Sequence, residues 1–131
     1  MRKKDDDHAM DAIAAYDKAV SARHRDIVAA LHREIDGVLN KAEAKVWHAI
    51  PVGFIDGNPV VGYKSWPNRV TLLFWNGQAF GEPSLVAAGK FKAAQIHYGS
   101  ADEIRPADLR RWLRKAAKDI WDYRGLRASC R

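Results

Sequence analysis

Cysteine is almost missing: Cys130, near the end of the chain, is the only one in 131 residues. One thiol excludes an internal disulfide and supplies at most one metal ligand, and near a chain end no base is expected to be held against it as a nucleophile needs. Long apolar runs are missing as well. None approaches the ~20 residues of a membrane-spanning helix, and the start Met1-Arg2-Lys3-Lys4-Asp5-Asp6-Asp7-His8 lacks the apolar core of a secretory signal, so no membrane partner and a cytoplasmic location are expected. No glycine-rich phosphate loop is present, since Gly53, Gly57 and Gly62 are scattered and do not precede a helix. Ser65, Ser84 and Ser100 have no local motif that would activate them. The five histidines, His8, His24, His32, His48 and His97, include no pair at i, i+4, and no histidine–carboxylate group has recognisable metal-ligand spacing. His8 beside three aspartates reads as part of a solvated stretch, and His24 and His32 read as exposed helix residues. No metal, cofactor or catalytic residue is therefore assigned, and an enzyme could arise only from side chains that the fold brings together.

The composition that is present belongs to an ordinary globular domain. Hydrophobic residues make up 47% and charged residues 29%, with only five prolines, which is enough apolar material for one core and outside the range of disordered chains. The net charge of +6 is unevenly placed. Residues 1–104 hold 13 Lys/Arg against 13 Asp/Glu, whereas residues 105–131 hold nine against three.

Residues 1–10 alternate from basic to acidic without apolar spacing and read as a flexible tail; residues 126–131 read as a second, basic tail, leaving a single domain over 11–125. Ile13, Tyr16 and Val20 suggest a first helix. Ile27, Leu31, Ile35 and Val38 or Leu39 repeat along a second, which Ser21 could cap and which Gly37 either ends near residue 36 or interrupts before Asn40. From Val52 short runs rich in Val, Phe, Tyr and Trp predict an antiparallel meander over 52–55, 59–66 and 69–75, with reversals at Asp56-Gly57-Asn58 and Trp66-Pro67-Asn68. Residues 83–88 read as a short helical turn and Phe91 to Tyr98 as a further strand. Pro106 opens the clearest helix, whose Leu109, Trp112, Leu113, Ala116, Ile120 and Tyr123 fall within one ~100° arc, with Gly125 as its stop. The expected fold class is α+β: a small antiparallel sheet flanked by N- and C-terminal helices.

The stretch Lys45-Val46-Trp47-His48-Ala49-Ile50-Pro51-Val52, followed by Asp56-Gly57-Asn58-Pro59-Val60-Val61-Gly62-Tyr63, resembles the central signature of YdhG-like domains, a family of uncharacterised bacterial proteins. Further matches follow in order: Leu72-Leu73-Phe74-Trp75-Asn76-Gly77, Gly89-Lys90-Phe91-Lys92-Ala93-Ala94, and Arg111-Trp112-Leu113 with Trp121-Asp122-Tyr123, together covering roughly residues 25–125. The resemblance implies an α+β domain similar in outline to frataxin, and with it the possibility of a frataxin-like iron-handling role. The sequence departs from a frataxin-type acidic ridge, since its only acidic cluster, Asp5-Asp6-Asp7, is balanced by Arg2, Lys3 and Lys4.

Two sets of residues stand out as candidate sites. In strand 69–75 one face carries Val70, Leu72 and Phe74 and the other Thr71, Leu73 and Trp75, so a single helix layer cannot cover both. Another chain, the 76–90 excursion or a ligand cleft could cover the second face. The cleft expected there would join Lys64, Trp75 and His97 to Trp47 and His48 as a small-ligand site. The second set is the basic face of the last helix, Arg110, Arg111, Arg114 and Lys118 with Trp121 beside them, partly neutralised by Lys115–Asp119 and Lys118–Asp122 pairs. The reading is a non-enzymatic binding or interaction domain of unknown ligand, expected as a homodimer. The alternatives are the iron-handling role and a weak, sequence-indifferent nucleic-acid binder.

Overall fold

The computed structural model describes residues 2–89 and 91–123, with side chains from residue 11 onward. The expected basic tail 126–131 and the helix stop at Gly125 lie outside the described residues. Helix α1 (Arg2–Ala19) leads through a 3₁₀ turn at Ala22–His24 into α2 (Arg25–Val38). Six strands follow: β1 (Glu43–Trp47), β2 (Ile50–Ile55), β3 (Asn58–Ser65), β4 (Val70–Phe74), β5 (Val86–Ala87) and β6 (Ala94–Tyr98). Helix α3 (Pro106–Lys118) is the last of these elements, and residues 119–123 follow it. The strands form one antiparallel sheet in the order β1-β2-β3-β4-β6-β5, so the α+β expectation holds.

The core lies between the helices and one face of the sheet. Val61, Tyr63, Val70, Leu72, Phe74, Ala94 and Tyr98 alternate onto that face and are buried against Ile27, Val28 and Leu31 of α2 and Leu109, Trp112, Leu113 and Ala116 of α3. The Phe74 ring meets Phe80 at 5.6 Å and Trp112 at 6.3 Å, edge to face. Phe80 and Leu85 bury themselves in this core, so the 76–90 excursion covers the helix side of the sheet and not its second face.

Several local expectations are corrected. Helix α1 begins at Arg2, within the stretch read as a tail; the run has no Gly or Pro to break it. Helix α2 runs through Gly37 to Val38, and Ser21 precedes the 3₁₀ turn without a capping hydrogen bond from its side chain. Residues 83–88 form no helix, because Val86 and Ala87 pair with Gln95 and Ala94 at the sheet edge. Helix α3 stops at Lys118: the Asp119 carbonyl accepts a hydrogen bond from Asn76 Nδ2 at 3.0 Å, and the following residues turn away from the helix axis. β1 has no counterpart in the sequence reading, since its mostly exposed, polar edge lacks alternating burial.

Candidate functional site

The second sheet face is built by register. Lys64, Thr71 and His97 lie side by side across β3, β4 and β6, and Val52, Gly62, Leu73 and Gln95 form the next row. Two groups of side chains stand on it. In the first, the Trp47 ring lies 4.2 Å from His48, 5.4 Å from Phe54, 5.9 Å from Trp75 and 6.0 Å from Tyr123. Trp75 can lie down onto the sheet because residue 62 is glycine: a Cβ there would sit 3.3 Å from Trp75 Cζ3, 3.2 Å from Val52 Cγ2 and 3.0 Å from the Pro51 carbonyl oxygen. In the second group, Trp66 Nε1 donates to Thr71 Oγ1 at 3.0 Å, and the same hydroxyl is 2.8 Å from His97 Nδ1. The Lys64 ammonium stands 3.8 Å from the centroid of the Trp66 ring.

The expected convergence is therefore divided. Trp47, His48 and Trp75 come together, whereas Lys64 and His97 join Trp66 and Thr71 in a neighbouring group on the same open face. Part of the cover comes from the chain itself. Beyond α3, Trp121 stacks 5.5 Å from Phe91 and 5.5 Å from Tyr123, which carries the ring contacts back to Trp47.

The basic face of α3 is largely paired. Arg110 holds Glu34 through two hydrogen bonds at 2.8 and 3.0 Å. Arg111 grips Glu82 in the same two-pronged way at 2.9 and 2.8 Å and also binds Asp108. Lys115 donates to Glu82 and to the Phe80 carbonyl, so the expected Lys115–Asp119 pair is replaced, and the helix ends before Lys118 and Asp122 could share a turn. The Arg111 guanidinium and the Lys115 ammonium hold the Glu82 carboxyl far below the ordinary carboxylate range, and Arg110 lowers Glu34. Arg114 and Lys118 stay exposed without an ion pair among the described residues. Trp121 is not on this face.

The site that sequence reasoning missed lies on the other side of the sheet. An apolar pocket of about 40 Å³ opens between α1, α2 and strands β1 to β3, walled by Ile13, Ile35, Leu39, Pro51 and Val61, with His32, Asp36 and Tyr63 as its polar lining. His32 Nδ1 is 2.8 Å from Asp17 Oδ2, and its Nε2 is 3.0 Å from Asp36 Oδ2. Tyr63 donates its hydroxyl to Asp17 Oδ1 at 2.8 Å. The hydrogen bond to Asp17, aided by the charge of Asp36, raises the pKa of His32 above its ordinary value against the opposing effect of burial. Burial, then the hydrogen bond to the anionic Asp17, pushes the Tyr63 phenol far up. His24 is also corrected: it is fully buried at the foot of α2, with Nδ1 2.9 Å from Ser65 Oγ.

The carboxylates flank His32 on opposite ring edges, so the three groups do not converge on one point. Among the described residues no group of three His, Cys, Asp or Glu is placed to hold a metal ion. No described helix is long and apolar enough to cross a membrane. No family model, curated protein or solved structure matches this chain.

Proposed function

We propose that this protein is a non-enzymatic binding domain that takes a small, mainly apolar molecule with one polar end in the pocket between α1, α2 and the sheet. The observation that carries the reading is the Asp17–His32–Tyr63 cluster set against an otherwise apolar pocket, the usual make-up of a small-ligand site. A volume of about 40 Å³ gives room for roughly three water-sized groups, which suits a short aliphatic chain or the edge of a ring. Asp36 is the carboxylate that lines the pocket, beside His32 and Tyr63, so an ammonium or amide head that can donate to it is favoured over a carboxylate.

Binding fits this cluster better than proton transfer. The carboxylates favour the charged form of His32, so less of the neutral ring that could accept a proton is present at neutral pH, and Tyr63 is held protonated as a hydrogen-bond donor. An iron-handling role draws no support from the cluster, because the two carboxylates occupy opposite edges of one ring.

Nuclear magnetic resonance titration with isobutylamine, isobutyramide and isobutyrate tests the proposal. Shifts are expected at Ile35, Leu39 and Tyr63 with the amine or amide, weakened in His32→Gln and Tyr63→Phe and unchanged in Lys64→Ala. Shifts confined to the sheet's open face, or none with any probe, would reject the pocket as the site.

A further inference from the structure

Acidic residues are scarce in the strands of this molecule. Glu43 is the only Asp or Glu in the six strands, whereas Asp17, Glu34, Asp36, Glu82 and Asp108 belong to the helices or to the excursion packed on α3. Glu43 shares the open sheet face with Lys45 by strand alternation, and that face carries Lys45, Lys64 and Arg69 with no ion pair to any of them among the described residues. Rings stand beside these cations. Trp66 is 37% exposed, Trp47 and Trp75 are half-buried, and Arg69 Cζ lies 5.0 Å from the centroid of the same Trp66 ring that Lys64 stands over.

An open antiparallel face that alternates aromatic rings with unpaired cations matches one polymer above others, since single-stranded nucleic acid offers planar bases and phosphates in the same alternation. A duplex turns its bases inward and would meet the cations only. A two-fold contact centred on this patch would set Lys64 and Arg69 of one copy near the same cations of the other. We propose that the open face of the sheet binds single-stranded nucleic acid, with Trp66 and Trp75 as stacking platforms and Lys45, Lys64 and Arg69 against phosphates. Gln95 and His97 are the polar side chains in the neighbouring strand, too few to read a run of base edges, so binding is indifferent to sequence. This inference does not rest on the pocket, which lies on the opposite side of the sheet, and it moves nucleic-acid contact away from α3, whose arginines are largely paired.

Fluorescence anisotropy with labelled oligothymidylate and oligouridylate of about twelve nucleotides tests it. The expected result is micromolar binding to both single strands and much weaker binding to a duplex. Three phosphate contacts predict a slope of log K against log salt of about −2. Lys64→Ala is expected to flatten that slope by about 0.7, and Trp66→Ala to weaken binding by roughly tenfold. Both residues are exposed, so circular dichroism should be unchanged. The Arg114→Ala, Lys118→Ala double variant should bind as the wild type does. Three results would overturn the proposal: no binding at millimolar protein, equal preference for duplex, or loss of binding only in the α3 variant. A concentration-dependent dimer in light scattering, broken by Trp66→Ala and indifferent to oligonucleotide, would assign the face to a second copy instead.

Discussion

Two reversals in this chain demand the same backbone and receive different residues. Asp56 and Gly57 join β2 to β3 with φ of 53° and 79°, and an Asp-Gly pair suits such a two-residue turn. His48 and Ala49 join β1 to β2 with φ of 51° and 67°, although neither is glycine. Left-handed backbone costs an L-residue about 1–2 kcal/mol, part of which glycine returns as unfolded-state entropy. Ala49→Gly is accordingly expected to stabilise the domain by about 0.5–1 kcal/mol in urea unfolding. No gain, or a loss, would mean that the Ala49 methyl is held by contacts worth as much as the strain. At the same scale His32 explains why the pocket was illegible in the sequence. Its partners Asp17 and Tyr63 lie 15 and 31 residues away along the chain, a juxtaposition that no local spacing announces. One signal was present: His32 follows Val28 by four residues and precedes Ile35 by three, at the border of the buried stripe and not on the solvated face.

At the scale of elements, legibility follows periodicity and burial. Helix α3 is recovered because its apolar positions sit on one stripe and Pro106 marks its start, and Leu109, Trp112, Leu113 and Ala116 are the buried residues of that helix. Leu113 has no exposed surface, so Leu113→Asp would bury a carboxylate without a partner at a cost of several kcal/mol, comparable with the whole stability of a domain this size. An unfolded circular dichroism spectrum, or an insoluble product, is the expected outcome; a soluble variant with unaltered melting would show that α3 does not carry the core. The end of α3 was not legible, because Asn76 takes the Asp119 carbonyl from 43 residues away and Trp121 and Tyr123 find ring partners beyond the helix. β1 and β5 escape for a related reason. They are edge strands with exposed residues, and what makes them strands is the neighbour each pairs with.

At the scale of the molecule, the Asp17–His32–Tyr63 cluster ties α1, α2 and β3 together, so the protonation of one imidazole bears on the stability of the whole fold. Protonated His32 can donate to Asp17 and Asp36 at once, whereas the neutral ring keeps a single N–H and must leave one carboxylate without its donor. Because the folded pKa is raised above the unfolded value of 6.5, this contribution is fully present below about pH 6.5 and is lost as pH rises through the folded midpoint. Glu82 and Glu34 act in a separate window: their lowered values give stability that is present above the ordinary carboxylate value of 4.5 and lost on acidification. Tyr63, protonated throughout, penalises the fold only above its unfolded value of 10.0. Between about pH 5.5 and 9 the part of the slope that belongs to His32 is the part lost in His32→Gln. With the ring partly exposed, the loss should be about 0.5–1 kcal/mol, or a fall in Tm of about 2–4 °C. Thermal melts of wild type and His32→Gln across this range, with the His32 midpoint followed by nuclear magnetic resonance, measure both ends of the linkage. The wild-type Tm should fall toward that of the variant as pH rises, and the midpoint should lie above 6.5. A midpoint at or below that value, or a variant with the same slope, would mean that the carboxylates orient the ring without favouring its charge.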